Sequence, residues 1–323
     1  MNSEIKRGLV SIVVPVLNEE ESLIELYRQI EAAFRDTEFT FEVIFIDDGS
    51  TDHSFEIESK IANDHPNVSV VQFQRNFGKA AALTEGFHQA KGEFVATLDA
   101  DLQDDPNEIP IMLRQLNGGF DLVSGWKKKR NDPITKTFPS KIFNRVTTWL
   151  TGVKVHDLNC GLKVYRHEVT QALKIYGGLY RYIPALAHLS GFRVTEKIVQ
   201  HRARQFGVSK YGGSRLYHGF WDLITVLFLS KYERRPLHLF GLPGIICFMT
   251  GFLISLVLSV RWFMGHWIGN RPVFFLGILL LIVGLQFISM GLLGEMIAYG
   301  QKRENAVIKS VTMSKATKDN ADQ

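Results

Sequence analysis

Two carboxylates separated by a single residue close one predicted strand of this chain. The apolar run EFVATLD ends in Asp99, and Ala100 and Asp101 follow it directly. Side chains two apart at a strand end point to the same side, so both carboxylates can meet one cation. Carboxylate oxygens suit Mg²⁺ or Mn²⁺, which keep part of their water shell and bridge to substrate phosphates. Ordinary surface turns also contain Asp-x-Asp, but the position after a buried strand favours metal chemistry.

A second acidic pair closes another predicted strand. Asp47 and Asp48 end the run FEVIFIDD and begin a Gly-Ser turn. A carboxylate at this point can accept hydrogen bonds from a ribose or from a base N–H. The alternative is a helix N-cap, a role that Thr51 and Asp52 could fill instead.

The elements that position these acids alternate along residues 9–126. Apolar strands are predicted for LVSIVVP, FEVIFID, NVSVVQF, EFVATLD and DLVSG. Helices are predicted for EEESLIELYRQIEAAF, for KAAALTEGFHQA and after a cap at Asp105. This alternation predicts an α/β fold with a mostly parallel sheet that helices cover on both faces. Ligands of such sheets bind beyond the carboxyl ends of the strands, so residues 15–19, 47–50 and 99–103 should share one edge.

Composition and missing motifs exclude several classes of protein. Hydrophobic residues make up 46% and charged residues 22% of the 323 residues, which is typical of a globular protein. A net charge of +4 is too small to indicate a nucleic-acid partner. The 2 cysteines, without a CxxC pair, support neither a disulfide framework nor a cysteine-built zinc site. A GxGxxG after the first strand and a GxxxxGK[ST] are both missing, which disfavours dinucleotide and P-loop enzymes.

Two charge-free runs in the last third of the chain predict a membrane hairpin. Residues 237–260 and 273–294 each exceed the roughly 20 residues that cross a bilayer, and the alternative is a pair of buried core helices. Basic residues at the outer ends favour a cytoplasmic catalytic domain with both termini cytoplasmic. The predicted domains are a catalytic domain over 1–212, an interfacial helix over 213–236, the hairpin over 237–300 and a flexible tail over 301–323. Residues 140–150 also form an amphipathic stretch, suited either to packing on the sheet or to a membrane interface.

Five segments in this order resemble glycosyltransferase family 2, which has the GT-A fold: VSIVVPVLNEEESL, VIFIDDGSTD, RNFGKAAAL, ATLDADLQDDP and DLNCGLKVYRHEV. The closer resemblance is to its polyprenyl-phosphate branch, which includes dolichyl-phosphate mannose synthases and membrane-hairpin enzymes acting on undecaprenyl phosphate. It covers about residues 9–300 and includes the LGE of residues 293–295. The resemblance implies an inverting transfer of a sugar from a nucleotide diphosphate sugar to undecaprenyl or dolichyl phosphate, with Mg²⁺ or Mn²⁺. UDP-glucose is the favoured donor, GDP-mannose the alternative, and tetramers occur in the branch.

The resemblance also implies site residues. The implied donor-binding residues are Pro15, Leu17, Asn18, Glu19, Asp47, Asp48, Asn76, Lys79, Asp99 and Ala100. The implied metal ligands are Asp99, Asp101 and Gln103. Asp101, Arg204 and Lys210 are implied as catalytic, the last two as a basic pair that closes over the phosphates. Lys127, Lys163 and Arg204 are implied to contact the acceptor phosphate.

Two positions depart from the family pattern. Lys127 stands where dolichyl-phosphate mannose synthases have arginine, which keeps the charge but loses bidentate contact. Gly161-Leu162-Lys163 stands where some hairpin members have Asp-Phe-Arg, so a carboxylate near the reaction centre is missing. Whether Asp157 replaces that carboxylate is left open by the sequence.

Three other functions remain as alternatives. A processive polysaccharide synthase shares the catalytic core but carries a QxxRW motif and more spans, and this chain has no QxxRW. A diacylglycerol glycosyltransferase would need a base for its hydroxyl acceptor. A non-catalytic membrane adaptor that binds a nucleotide sugar would not need the metal motif.

Overall fold

The computed structural model describes residues 6–128, 147–148, 151–200, 202, 225, 236–265 and 272–300. The chain divides into two compact units, residues 1–226 and 227–323. Most of the two predicted amphipathic stretches, 140–150 and 213–236, lies outside the described residues. The predicted basic pair Arg204 and Lys210 also lies outside them.

The first unit contains one mixed sheet. Within the described residues it has seven strands in the order β3-β2-β1-β4-β6-β5-β7. The strands are β1 (Lys6–Val16), β2 (Thr40–Asp47), β3 (Val68–Gln72), β4 (Gly92–Thr97), β5 (Leu122–Trp126), β6 (Lys163–Arg166) and β7 (Val194–Ile198). Neighbouring strands pair in parallel except β6, which is antiparallel to both β4 and β5. The predicted α/β fold with a mostly parallel sheet is therefore confirmed.

Helices cover this sheet. They are α1 (Leu23–Phe34), α2 (Ser54–Asp64), α3 (Lys79–Gln89), α4 (Glu108–Asn117), α5 (His167–Ala172) and α6 (Ile183–Leu189), with a 3₁₀ helix over Gly177–Tyr182. Helix α1 begins later than predicted because the backbone N–H groups of Glu19 and Glu20 donate to Ser54 Oγ and Asp52 Oδ2. Helix α4 likewise begins later, at Glu108, with Asn107 rather than Asp105 at the N-cap.

The sheet topology brings the predicted functional segments to one edge. Strands β1 to β5 run in the same direction, so their carboxyl ends meet there. Strand β6 runs the other way, and its first residue, Lys163, therefore pairs with Thr97 near the end of β4 and with Ser124 in β5. One antiparallel strand thus adds a lysine to an edge that is otherwise built from strand ends.

The described residues of the second unit form a pair of apolar helices, α7 (Pro236–Phe263) and α8 (Pro272–Gly300). Both are long and apolar enough to cross a membrane. Only 22% and 11% of their most apolar windows are buried within the protein. The two predicted helices are confirmed, and this exposure disfavours the alternative of buried core helices.

Glycines line the contact between α7 and α8. A Cβ on Gly284 would lie 2.5 Å from the backbone nitrogen of Phe248 and 2.8 Å from the oxygen of Gly244. A Cβ on Gly251 would lie 2.8 Å from the oxygen of Gly277. Backbones approach this closely only where small residues meet, as in many pairs of membrane helices. The glycines therefore fix the register of the hairpin.

Gly284→Ala is expected to loosen this hairpin, because its methyl group would collide with the backbone of α7. We expect the thermal midpoint of the detergent-solubilised protein to fall by several degrees, in line with an overpacking cost of about 1–3 kcal/mol. Gly241→Ala is the matched control on α7, since its Cβ would meet Leu237 Cδ1 at 3.4 Å. Equal midpoints for the two variants would contradict a register set by close glycine packing.

Candidate functional site

Two loops at the carboxyl edge are joined by hydrogen bonds. The loop after β1 contains Asn18, whose Oδ1 accepts from Thr51 N at 2.7 Å and whose N–H donates to Ser50 Oγ at 3.0 Å. The N–H of Glu19 donates to Ser54 Oγ at 2.9 Å. Asn18 holds a left-handed backbone with φ of 51°, a conformation that asparagine tolerates better than most residues. Two predicted donor segments are thus held together as one surface.

Asp48 ties a third loop to this surface. Its Oδ1 accepts from Phe77 N at 2.7 Å, and its Oδ2 accepts from Gly78 N at 3.0 Å. Burial raises the pKa of Asp48, and these two N–H donors oppose that rise. Gly49, with φ of +72°, makes room for the loop, because a Cβ there would lie 2.5 Å from Arg75 C. The role of Asp48 toward a base or ribose stays a prediction, as does that of the exposed Asn76.

Asp99 lies in the field of three lysines. Lys79, the first residue of α3, forms an ion pair with Asp99 Oδ1. Burial disfavours the charge of Asp99, but Lys79, Lys127 and Lys163 together hold its pKa below the ordinary value. The side chain of Asp99 is 33% exposed, so an ionised carboxylate faces the edge of the sheet. This arrangement concentrates positive charge around the first carboxylate of the Asp-x-Asp motif.

Lys127 has a buried partner that the sequence does not reveal. Its Nζ lies 2.7 Å from Asp104 Oδ1, and the two side chains are 12% and 1% exposed. Burial opposes the charge on Lys127, yet the carboxylate of Asp104 raises its pKa above the ordinary value. The lysine is therefore charged, and part of that charge is already used to stabilise Asp104.

Lys163 and Gly161 border Asp99 from β6 and the loop before it. Lys163 is 4% exposed and donates to the backbone oxygen of Cys160. Burial and the charge of Lys79 lower the pKa of Lys163. A Cβ on residue 161 would lie 2.5 Å from Asp99 Oδ2. The glycine that departs from the family pattern thus allows the Asp99 carboxylate to pack directly against residue 161.

Gly161→Ala is expected to displace the Asp99 carboxylate, because its methyl group would collide with Asp99 Oδ2. We expect kcat/KM for the donor to fall by about tenfold, or roughly 1.4 kcal/mol of transition-state stabilisation. Steady-state kinetics at several Mn²⁺ concentrations, on protein with an unchanged thermal midpoint, provides the measurement. An unchanged kcat/KM at all metal concentrations would show that donor turnover does not depend on the position of the Asp99 carboxylate.

The remaining predicted residues surround this centre. Pro15 pairs with Ile46 in the sheet, and Leu17 follows the end of β1. Ala100 is buried, whereas Asp101 and Gln103 are partly exposed. Asp101 Oδ1 accepts from the N–H of Gln103 at 3.2 Å, in a turn where Leu102 has φ of 58°. The structure therefore brings the described donor and metal candidates to one edge of the sheet.

Sequence reasoning missed several residues at or near this edge. The Tyr180 ring lies 5.7 Å from Lys79 Nζ and 5.2 Å from Arg181 Cζ. Asp104 is the buried partner of Lys127, a role that its place in the motif ATLDADLQDDP does not indicate. The contacts of Lys79 with Tyr180 and of Lys127 with Asp104 join segments that are apart in sequence, so local patterns carry no signal for them.

Comparison with known proteins identifies the family. Residues 11–174 match the profile of the family described as Glycosyl transferase family 2. The chain belongs to glycosyl transferase family 2. It is 38% identical over 311 residues to the dodecaprenyl-phosphate galacturonate synthase of Rhizobium johnstonii, covering 94% of this chain and 92% of that protein. It is 39% identical over 290 residues to the undecaprenyl-phosphate 4-deoxy-4-formamido-L-arabinose transferase of Pseudomonas fluorescens, covering 88% and 84%.

Solved structures of this glycosyltransferase's fold are more distant in sequence. The glucosyl-3-phosphoglycerate synthase of Mycobacterium tuberculosis, in complex with Mn²⁺, UDP-glucose and phosphoglyceric acid, superimposes with a TM-score of 0.53 at 19% identity. The match covers 68% of this chain and 79% of that one. The likeness confirms the expected GT-A fold. The family resemblance predicted from the five ordered segments is confirmed as well.

Proposed function

We propose that this glycosyltransferase moves one sugar from a nucleotide diphosphate sugar to a polyprenyl phosphate at a membrane, with inversion. The observation that carries the proposal is the Asp99 carboxylate in the field of three lysines, at the carboxyl edge of a GT-A sheet. The two apolar helices supply the membrane attachment that a lipid acceptor requires. Both curated relatives are named for transfer to a polyprenyl phosphate, which supports the same acceptor here.

The donor fits the surface formed by the loops after β1 and β2. Their hydrogen bonds hold Asn18, Glu19 and Asp48 beside the loop that leads into Lys79. A UDP-sugar is the donor class we favour, with UDP-glucose first and GDP-mannose as the alternative. Lys79 and Lys163 then lie where cations can offset the charge of the diphosphate.

A divalent cation fits the Asp-x-Asp carboxylates. The pKa of Asp99 lies below its ordinary value and its side chain is 33% exposed, so this carboxylate is ionised and accessible to a cation. No cluster of three histidine, cysteine or acidic side chains able to hold a metal occurs among the described residues. Asp99, Asp101 and the Gln103 amide would hold Mg²⁺ or Mn²⁺, with phosphate oxygens and water completing its shell. The bound cation would stabilise the charge that develops on the departing diphosphate.

The acceptor needs little activation by the protein. A phosphate monoester has its second pKa near 6, so at neutral pH its oxygen is already a charged nucleophile and no strong general base is required. The main barrier is the approach of two anions, which Lys127 and Lys163 reduce through their positive charge. We propose that Arg204 and Lys210, outside the described residues, add to this charge.

A nucleotide-release assay tests the proposed donor and acceptor together. Purified protein in detergent receives a panel of UDP-glucose, UDP-galacturonic acid and GDP-mannose, with and without undecaprenyl phosphate. We expect release of the nucleoside diphosphate with at least one donor, dependent on the lipid phosphate and abolished by EDTA. Equal release without the lipid would contradict a polyprenyl phosphate as the acceptor. Release in EDTA would contradict the requirement for a divalent cation.

We also propose a two-span topology with the catalytic unit and both termini in the cytoplasm. The charge-free runs and the basic residues outside them support it. Membranes washed with alkaline carbonate should retain the protein, and recovery in the wash would contradict the spans. A tag between α7 and α8 should be accessible from the opposite face to a C-terminal tag.

A further inference from the structure

An acidic side chain in the middle of α2 is fully buried. Glu58 is 0% exposed, and neither of its carboxyl oxygens has a hydrogen-bond partner among the described residues. An ionised carboxylate without a partner costs several kcal/mol in such surroundings, so the group stays neutral instead. Burial, with the charges of Asp47 and Asp52, raises the pKa of Glu58 to about 9. At neutral pH Glu58 therefore carries a proton.

Asp47, the last residue of β2, is the first of the two carboxylates whose charge acts on Glu58. It is also 0% exposed, and its Oδ1 accepts from Ser50 N at 2.8 Å. Its Oδ2 is buried and has no hydrogen-bond partner among the described residues. Two neighbouring carboxyl groups in one buried region cannot both ionise without strong repulsion. The proton on Glu58 removes this repulsion.

The turn that Asp47 holds supports the donor surface. Ser50, bound to Asp47, accepts the N–H of Asn18, and the next residue, Thr51, donates to Asn18 Oδ1. The backbone oxygen of Asp47 accepts from Phe73 N at 2.8 Å, at the start of the loop that Asp48 binds. A second negative charge behind Asp47 would disturb all of these segments together.

We propose that Glu58 is a positioning residue for the nucleotide: by retaining one proton beside Asp47, it keeps the 47–50 turn in the shape that binds the donor. This inference rests on the proposed function, because it takes the turn to be part of the donor site. Asp47 and Asp52 are the charged groups that act on Glu58 among the described residues of α1, β2, β3 and the adjoining loops. Glu58 itself contacts neither substrate nor cation.

The test compares wild type with Glu58→Gln, which has nearly the same shape but cannot ionise. Binding of UDP and of GDP, each with Mn²⁺, is measured by calorimetry on the full-length protein between about pH 7 and pH 9.5. At pH 7 we expect Kd values within about twofold of each other. At pH 9.5, ionisation of Glu58 should weaken wild-type binding about fourfold relative to Glu58→Gln, since only the protonated fraction binds well.

The difference between the two proteins is the readout, because the nucleotide base itself titrates at alkaline pH. Glu56→Gln, on the same helix but with a 76% exposed side chain, is the matched control and should follow wild type. If both proteins bind nucleotide and their Kd values change with pH in the same way, the role of Glu58 is contradicted but the proposed function is not. A wild type that binds neither nucleotide would overturn this role together with the proposed function.

Thermal unfolding gives a second readout that needs no ligand. The folded pKa of Glu58 lies above its ordinary value of 4.5, so the unfolded chain releases this proton first as the pH rises. The stability of wild type should therefore fall relative to Glu58→Gln between about pH 4.5 and pH 9. A constant difference in midpoint across this range would show that Glu58 does not carry a proton in the folded protein.

Discussion

Asp101→Asn is expected to lower kcat by about a hundredfold or more while leaving the fold intact. The substitution keeps the size of the side chain and its place beside Gln103, but removes one of the negative charges proposed to hold the cation. The cation acts mainly on charge that develops in the transition state, so the loss should fall on kcat. Steady-state kinetics with saturating donor and a Mn²⁺ titration provides the measurement.

Asp64→Asn is the matched control, because this acid is exposed at the end of α2. It should leave kcat within about twofold of wild type, since surface substitutions rarely affect a distant site. Full activity of folded Asp101→Asn in the presence of EDTA would contradict the role of the second carboxylate. Activity regained at high Mn²⁺ would instead locate the defect in cation affinity.

Lys127→Met is expected to destabilise the first unit by about 3–5 kcal/mol, because Asp104 would be left buried without its partner. Such a loss corresponds to a fall in thermal midpoint of roughly 10 °C for a unit of this size. Differential scanning fluorimetry of the solubilised protein provides the measurement. Lys128→Met, at the exposed neighbouring position, should shift the midpoint little.

The double variant Lys127→Met with Asp104→Leu separates stability from catalysis. Replacing both members of a buried ion pair by apolar residues is often neutral, so most of the lost stability should return. If Lys127 also meets the acceptor phosphate, the double variant will fold but keep a reduced kcat/KM for the lipid. A double variant with full stability and normal lipid kinetics would reduce Lys127 to a structural partner of Asp104.

The sequence predicts the edge of the sheet well because that prediction depends on local patterns. Each apolar run before residues 17, 48 and 99 reads as a buried strand, and parallel strands place their ends together. The two apolar helices follow in the same way from length and lack of charge. Strand β6 is not predicted because Lys163–Arg166 is only four residues long. Its antiparallel pairing with β4 and β5 also cannot be inferred from the sequence of the strand itself.

The missed features of the site depend on contacts across long sequence separations. The pair Lys79–Asp99 joins the start of α3 to the loop after β4, and the pair Lys127–Asp104 joins two loops. Glu58 lies in SFEIESKIAND, where its charge suggests an exposed helix face, yet tertiary packing buries it completely. Local propensity cannot distinguish such a buried acid from a surface one, since the elements that contact α2 are α1, β2 and β3, from other parts of the chain.

Mass spectrometry of the lipid product directly tests the transfer of one sugar to a polyprenyl phosphate. Protein in detergent is incubated with undecaprenyl phosphate, Mn²⁺ and the donor that releases its nucleotide in the panel. We expect one new lipid species, undecaprenyl phosphate carrying a single sugar, which forms with wild type and is nearly absent with Asp101→Asn. A lipid that carries several sugars, a sugar attached to diacylglycerol, or nucleotide release without any glycosylated polyprenyl phosphate would contradict it.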